Sequence, residues 1–144
     1  MASPNPPIFT HIAMRCGNLD KSIAFYKRWC AFEVLHQRSE NGPDGHGPIR
    51  LAWLGRPPAA GKNPEFVIVL LEVRTPPGHT SLFDHLGLSV ESRAEVDRIA
   101  REAEPESILH WAAVDNGPIV GYLCAVKDPD GNVVEFSHGQ KLGP

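Results

Sequence analysis

The feature that most constrains the fold of this chain is an internal repeat. Segments 10–18 and 84–92 share one order: a polar residue, a histidine, alternating residues and then a residue of the helix N-cap type. In both segments the candidate cap follows the histidine by seven residues. Because a repeat defines an architecture that local propensity cannot, the chain is predicted to contain two copies of one supersecondary unit.

Each copy has the pattern of a short strand that leads into an amphipathic helix. Asn18 is the candidate N-cap of the first helix, and Ser92 with Glu95 forms the capping box of the second. Apolar residues then recur at helical spacing. The predicted buried stripes are Leu19, Ile23, Tyr26 and Cys30 in the first helix, and Val96, Ile99, Ala100 and Ala103 in the second.

Three strand-like runs follow each helix, and turn chemistry separates them. Asp128-Pro129-Asp130-Gly131 predicts a tight hairpin, since Pro presets φ and Gly accepts a positive φ. The predicted strands are 32–37, 49–54, 65–73, 108–114, 120–127 and 132–137, and the predicted loops are 39–48, 56–64 and 74–81. The pattern indicates an α+β fold of two tandem βαβββ modules, 8–75 and 82–139, which together form one structural domain.

Such a module leaves one face of its sheet uncovered, so the curled sheets of two modules are expected to enclose a small-molecule pocket. The chain has 144 residues and a net charge of −3, and its basic residues are scattered, which argues against nucleic acid as a partner. No apolar run approaches a membrane span, and the start lacks the features of a signal peptide. The expectation is a cytoplasmic protein without a membrane partner, whose three cysteines are reduced and structural.

Three motifs carry a resemblance to a known family. They are His11-Ile-Ala-Met-Arg in the first copy, His85-Leu-Gly-Leu-Ser-Val in the second, and Asp128-Pro-Asp-Gly-Asn-Val-Val-Glu135 in the last hairpin. Over nearly its whole length the chain resembles the vicinal oxygen chelate superfamily. That superfamily includes glyoxalase I, extradiol dioxygenases, fosfomycin resistance enzymes and bleomycin-binding proteins. The last motif is the most specific of the three.

The resemblance implies one divalent metal ion per site, held by His11, His85 and Glu135 on the concave faces of the sheets. Strand alternation agrees, because it places Val134 and Phe136 on the other face from Glu135. The metal that the resemblance implies is Zn, Mn, Ni or Fe, and ligand types alone do not separate these. The resemblance further implies that Glu135 acts as a catalytic base, and that the protein is a homodimer whose modules pair within one chain or across two.

The chain departs from glyoxalase I in the last strand of the first module. Relatives that resemble glyoxalase I carry a carboxylate or amide near the position of Val69, and valine cannot bind a cation. Glu72 is the nearest carboxylate, but it lies on the opposite face of a regular strand and would need a β-bulge to reach the site. The expectation is therefore a three-ligand site with positions open for water or substrate.

Two further residues are candidates for substrate binding, and each has a simpler interpretation. Arg15 shares a face with His11 and would pair with an anionic group, or it is a solvated charge. Trp53 would form an aromatic wall, or it belongs to the core. The other five histidines match no motif and are interpreted as non-ligands.

Three functions remain open at this point. The first is a divalent-metal-dependent enzyme of the glyoxalase or dioxygenase type, acting on a small oxygenated molecule as a lyase, isomerase or dioxygenase. The second is a metal-free protein that binds a drug or toxic compound, resembling bleomycin resistance proteins. The third is a regulatory module without chemistry, since fold does not determine function.

Overall fold

The computed structural model describes residues 8–41, 47–73 and 83–142. The chain divides into two compact units, Met1–Pro76 and Pro77–Pro144. The first unit contains β1 (His11–Cys16), α1 (Leu19–Cys30), β2 (Glu33–Asn41), β3 (Pro48–Gly55) and β4 (Val67–Glu72). Its four strands form one open sheet in the order β1-β4-β3-β2, in which β1 and β4 are parallel and the other neighbours antiparallel.

The second unit repeats this arrangement. It contains β5 (His85–Ser89), α2 (Arg93–Ala103), β6 (Leu109–Asp115), α3 (Gly117–Val120), β7 (Tyr122–Lys127) and β8 (Val133–His138). Its sheet has the order β5-β8-β7-β6, with β5 and β8 parallel. The predicted α+β fold of two βαβββ modules is confirmed. The predicted loop 74–81 lies outside the described residues.

Both predicted helix caps form, but only one predicted buried stripe is correct. The Asn18 side chain accepts a hydrogen bond from the Lys21 backbone, and Ser92 accepts one from Glu95. The stripe of α2 is buried as predicted. In α1 the buried residues are instead Leu19, Ser22, Phe25, Tyr26 and Trp29, while Ile23 and Cys30 are half-buried. The stripe is rotated because Phe25 and Trp29 offer more apolar surface than Ile23 and Cys30.

The hairpin between β7 and β8 is built on Asp128. Its Oδ1 accepts hydrogen bonds from the backbone N–H groups of Asp130 and Asn132, and its Oδ2 accepts one from the Asn132 side chain. Gly131 has a φ of 86°. Asp128 is thus occupied in holding the turn. The turn sets the register that places Glu135 beside Ala125 of β7.

Several predicted boundaries are wrong, and two of them have a clear structural cause. The predicted loop 39–48 is shorter, because β2 and β3 continue to pair up to Asn41 and Pro48. The predicted strand 120–127 begins only at Tyr122, because the four residues before Gly121 form α3. The Asp115 side chain accepts a hydrogen bond from Gly117 N–H at 2.9 Å, and a proline occupies the first turn of α3, where its missing N–H costs nothing.

Over residues 8–41, 47–73 and 83–142, no helix is long and apolar enough to cross a membrane. Among the described residues, Cys16, Cys30 and Cys124 form no disulfide. Burial raises the pKa of the Cys124 thiol to about 11, so this side chain is a packing group rather than a nucleophile.

Candidate metal centre and pocket

The first unit contains a pocket of about 300 Å³ on the sheet face turned away from α1. Pairing places His11 beside Val67, and Val69 between Ala13 and Trp53, so these side chains share that face. The pocket is lined by Thr10, His11, Trp53, Asn63, Pro64, Val67 and Val69. Two predicted site residues, His11 and Trp53, therefore line one pocket. Its described lining contains no Lys, Arg, Asp or Glu.

Trp53 is held by residues of the neighbouring strand. The His36 ring centroid lies 5.0 Å from that of Trp53, and the Arg38 guanidinium carbon lies 5.4 Å from the indole centroid. The side chain is partly exposed, which fits a pocket wall better than a core residue. This role of His36 and Arg38 was not predicted from the sequence. The two residues are two positions apart on β2, so strand alternation places them on one face. Arg15 lies on the same face as His11 but does not line the pocket.

Glu72 faces the start of α1 rather than the pocket. Its Oε1 accepts hydrogen bonds from the backbone N–H of Leu19 at 2.9 Å and from Arg50 Nη2 at 2.8 Å, and its Oε2 accepts one from Arg50 Nε at 2.8 Å. The pairing of β1 with β4 runs from His11 to Cys16 without a register shift, so β4 has no bulge there. Glu72 therefore anchors a helix terminus and is not positioned as a fourth ligand near Val69.

A Glu72→Gln variant is expected to be less stable than the wild type at pH 7, by on the order of 1 to 2 kcal/mol. Hydrogen bonds from Arg50 lower the pKa of Glu72 below 4.5, although desolvation opposes this shift. A lowered folded-state pKa contributes stability above the unfolded-state pKa, and that stability is lost as pH falls through the folded-state value. The stability difference between the two proteins should therefore shrink below about pH 4.5.

Urea unfolding between pH 7 and pH 3 measures this difference. Glu65→Gln, which removes an exposed carboxylate outside the cluster, is the matched control for the loss of one charge. A stability difference that stays constant as the pH falls would contradict the assigned role of Glu72.

The second unit brings His85 and Glu135 together. They lie on the neighbouring parallel strands β5 and β8, where His85 pairs with Val133 and Glu135 pairs with Gly87. Their side chains share a face, and His85 Nε2 lies 3.3 Å from Glu135 Oε2. The Glu135 side chain is only 6% exposed and that of His85 is 33% exposed. This is a buried carboxylate beside an imidazole that is open to one side.

Three neighbours of this pair were not predicted. Asp84 Oδ1 contacts His85 Nδ1 at 2.6 Å. The Trp111 ring packs edge-on against His85 with centroids 5.4 Å apart, and Gln140 Nε2 lies 3.4 Å from Glu135 Oε1. Since β5 and β6 are the opposite edges of this sheet, the contact of His85 with Trp111 shows that the sheet curls around the pair. The alternation of side chains along β6 could have predicted which face of the sheet Trp111 occupies.

Comparison with known families identifies the fold. The sequence profile of the Glyoxalase/Bleomycin resistance protein/Dioxygenase superfamily matches residues 8–136. The chain belongs to this superfamily. Its name covers enzymes as well as resistance proteins, so membership alone does not select one activity.

Proteins from other organisms are similar along nearly the whole chain. An uncharacterised protein of Pseudomonas aeruginosa is 39% identical over 96% of this chain and 93% of its own length. Glyoxalase I of Leishmania major has a TM-score of 0.67 at 21% identity, covering 93% of this chain and 88% of that one. A mutant fosfomycin resistance protein of Listeria monocytogenes, solved with Mn(II) and a dihydroxypropylphosphonic acid, has a TM-score of 0.61 at 18% identity, covering 99% and 96%.

The geometry of His85 and Glu135 fits the divalent ion that members of this superfamily commonly bind. Ligand atoms that each lie about 2.1 Å from one ion, at roughly 90° to 110°, are about 3.0 to 3.4 Å apart. The observed 3.3 Å falls in this range and exceeds the roughly 2.7 to 2.9 Å of a charge-assisted hydrogen bond. Both polar contacts of the buried Glu135 with described residues are long, so neither is a strong charge-assisted hydrogen bond.

The pair offers two candidate ligands, which do not make a complete set. Within the described ranges, no group of three or more His, Cys, Asp or Glu side chains is placed to hold a metal ion. His11, the third predicted ligand, lies in the first unit and is exposed. Its contribution stays a prediction from the family resemblance.

Proposed function

We propose that the protein is a divalent-metal-dependent enzyme that acts on a small oxygenated molecule. The observation that carries the proposal is the approach of His85 Nε2 and Glu135 Oε2 to 3.3 Å, with the carboxylate buried. A buried carboxylate requires a compensating partner, and a divalent ion between these two atoms would be one. Mn(II) in the fosfomycin resistance protein of the same fold supports this class of cofactor.

A bound ion would act as a Lewis acid on the oxygen atoms of the substrate. The chain's own residues would orient that substrate. His85 is held between Asp84 and Trp111, so its ring has little freedom to turn. Glu135 Oε1, which contacts Gln140 at 3.4 Å, is the oxygen at which Glu135 would accept a proton in its predicted role as base.

The lining of the pocket in the first unit limits the kind of chemical group that can bind there. Trp53 and Val69 give it an apolar wall, and its described lining has no Lys or Arg to neutralise an anion. The group bound there is expected to be uncharged and partly planar. Arg15 remains the predicted partner for an anionic group elsewhere on the substrate.

Metal content tests the proposal directly. Protein purified without chelators, or reconstituted with Zn²⁺, Mn²⁺, Ni²⁺ or Fe²⁺ after EDTA treatment, is expected to hold about one ion per chain. A His11→Ala variant tests the third ligand and should bind the ion more weakly. A well-folded wild-type protein that stays metal-free with all four ions would refute the proposed function.

The pocket itself favours a second candidate, a metal-free protein that binds an uncharged aromatic compound. Ligand binding in the presence of EDTA distinguishes the two functions. If binding alone is the function, thermal stabilisation by an aromatic ligand should survive EDTA and be lost in Trp53→Ala. If the ion takes part in binding, EDTA should abolish the stabilisation.

The predicted homodimer follows from the family resemblance alone. Light scattering of the purified protein tests it, with a mass near twice 15.8 kDa expected. A mass of one chain across the accessible concentration range would refute it.

A further inference from the structure

The polar residue that precedes each repeat histidine contacts the Nδ1 atom of that histidine. In the second unit Asp84 Oδ1 lies 2.6 Å from His85 Nδ1. In the first unit Thr10 Oγ1 lies 2.9 Å from His11 Nδ1. The two copies share this arrangement, but the partner is a carboxylate in one copy and a hydroxyl in the other.

This chemical difference acts on the tautomer of each imidazole. An ionised carboxylate only accepts hydrogen bonds, so its contact with Asp84 requires His85 to carry a hydrogen on Nδ1. The Glu135 carboxylate competes for a hydrogen on Nε2, but its Oε2 lies 3.3 Å away, whereas Asp84 Oδ1 lies 2.6 Å from Nδ1. The shorter contact favours the neutral ring with its hydrogen on Nδ1 and the lone pair on Nε2. A hydroxyl donates or accepts, so Thr10 is satisfied by either tautomer of His11.

We propose that Asp84 is a positioning residue that holds His85 in the tautomer whose Nε2 can bind a divalent ion. His85 is then the pre-organised imidazole of the site, and His11 is the adaptable one. The carboxylate also makes the ring a better donor to a cation than a hydroxyl partner does. The inference about ion binding rests on the proposed function, whereas the tautomer is a property of the metal-free protein.

The Asp84 side chain is 84% exposed, so its replacement is not expected to unfold the protein. In metal-free, ¹⁵N-labelled wild type at pH 8.5, long-range ¹H–¹⁵N spectra should show His85 with its hydrogen on Nδ1. In Asp84→Ala the hydrogen should move largely to Nε2. In Asp84→Asn, which keeps an acceptor oxygen without the charge, the Nδ1–H form should persist in part.

Affinity for Zn²⁺, measured by competition with a chromophoric chelator, is the second readout. Asp84→Ala should bind about 10 to 100 times more weakly than wild type, as expected for loss of a residue that orients a ligand. Thr10→Val, the matched change in the first copy, should lose clearly less. Glu91→Gln removes one exposed charge from the second unit and should bind like wild type.

The outcomes separate the two ideas. An unchanged tautomer in Asp84→Ala, or unchanged affinity where the wild type binds Zn²⁺, overturns the role of Asp84. If the wild type binds none of Zn²⁺, Mn²⁺, Ni²⁺ and Fe²⁺, the metal-dependent function is refuted instead. A tautomer shift in the metal-free Asp84→Ala protein would still support Asp84 as the residue that orients His85.

Discussion

A Glu135→Gln variant is expected to lose at least about 100-fold in affinity for Zn²⁺ or Mn²⁺ while it keeps its fold. Loss of a residue that only orients a ligand costs about 10 to 100-fold, so loss of the ligand itself should cost at least the upper value. That factor corresponds to about 2.7 kcal/mol of binding free energy. The amide removes the negative charge and leaves only a weak neutral oxygen donor.

The fold should survive because glutamine can satisfy the same neighbours. Its amide oxygen can accept from Gln140, and its NH₂ group can donate to the Nε2 lone pair of His85. The thermal midpoint of metal-free Glu135→Gln should therefore stay close to that of metal-free wild type. Glu95→Gln, in α2 of the same unit, is the charge-matched control and should bind the ion normally.

Isothermal titration with the ion and differential scanning fluorimetry without it make the measurement. If a folded Glu135→Gln variant binds the ion with wild-type affinity, the ion is held by other ligands. A loss of affinity that comes with unfolding would be uninformative about ligation, and for that reason the metal-free midpoint is measured first.

The largest loss of stability is expected from Gly121→Ala, on the order of 3 to 5 kcal/mol. Gly121 has a φ of 85° and a ψ of −165°, a region that only glycine occupies readily. A Cβ there would lie 2.4 Å from the carbonyl oxygen of His138 and 2.9 Å from the backbone nitrogen of Gln140. Both are backbone atoms, so neither contact can be relieved by a change of side-chain rotamer.

Gly117→Ala is the matched control. Its φ of 89° brings conformational strain, but a Cβ would have no heavy atom within 4 Å, so the loss should be only about 1 to 2 kcal/mol. Urea unfolding of both variants measures the difference. Equal losses would show that strain, rather than overlap with the segment after β8, determines the cost at Gly121.

The position matters for the site as well as for stability. The chain after β8 is held by a hydrogen bond from Lys141 N–H to the carbonyl of Ile119, and Gln140 within this segment contacts Glu135. A side chain at position 121 would displace the segment after β8, and Gln140 would then move away from the buried Glu135 carboxylate. Gly121→Ala should therefore weaken metal binding in whatever fraction remains folded.

Local features of the sequence were sufficient for the elements of the two modules and their order, apart from the short helix α3. The Ser92 cap, the helical periodicity of α2 and the Asp128 turn are each formed by residues a few positions apart. Such interactions are present in any arrangement of the rest of the chain, so they can be predicted without it. The parity of the strands that carry His11 and Glu135 could be predicted for the same reason.

The face that α1 buries was not decided locally. The predicted stripe through Ile23 and Cys30 and the observed one through Phe25 and Trp29 both have helical spacing. The choice depends on which side chains fit against the sheet, and that surface is assembled from strands distant in sequence.

By itself the sequence determined the two βαβββ units and, through its motifs, nominated His85 and Glu135. Only the tertiary structure decided what surrounds them. The parallel pairing of β5 with β8 brings His85 beside Glu135, and the curl of the sheet brings Trp111 of β6 against His85. Asp84 and Gln140 lie near the pair in the sequence, but only the structure shows that their side chains contact it. The tertiary structure also shows that Glu72 is not positioned to be a fourth ligand. Its contacts with Arg50 and Leu19 depend on the packing of β4 and β3 against α1, and no local pattern encodes that packing.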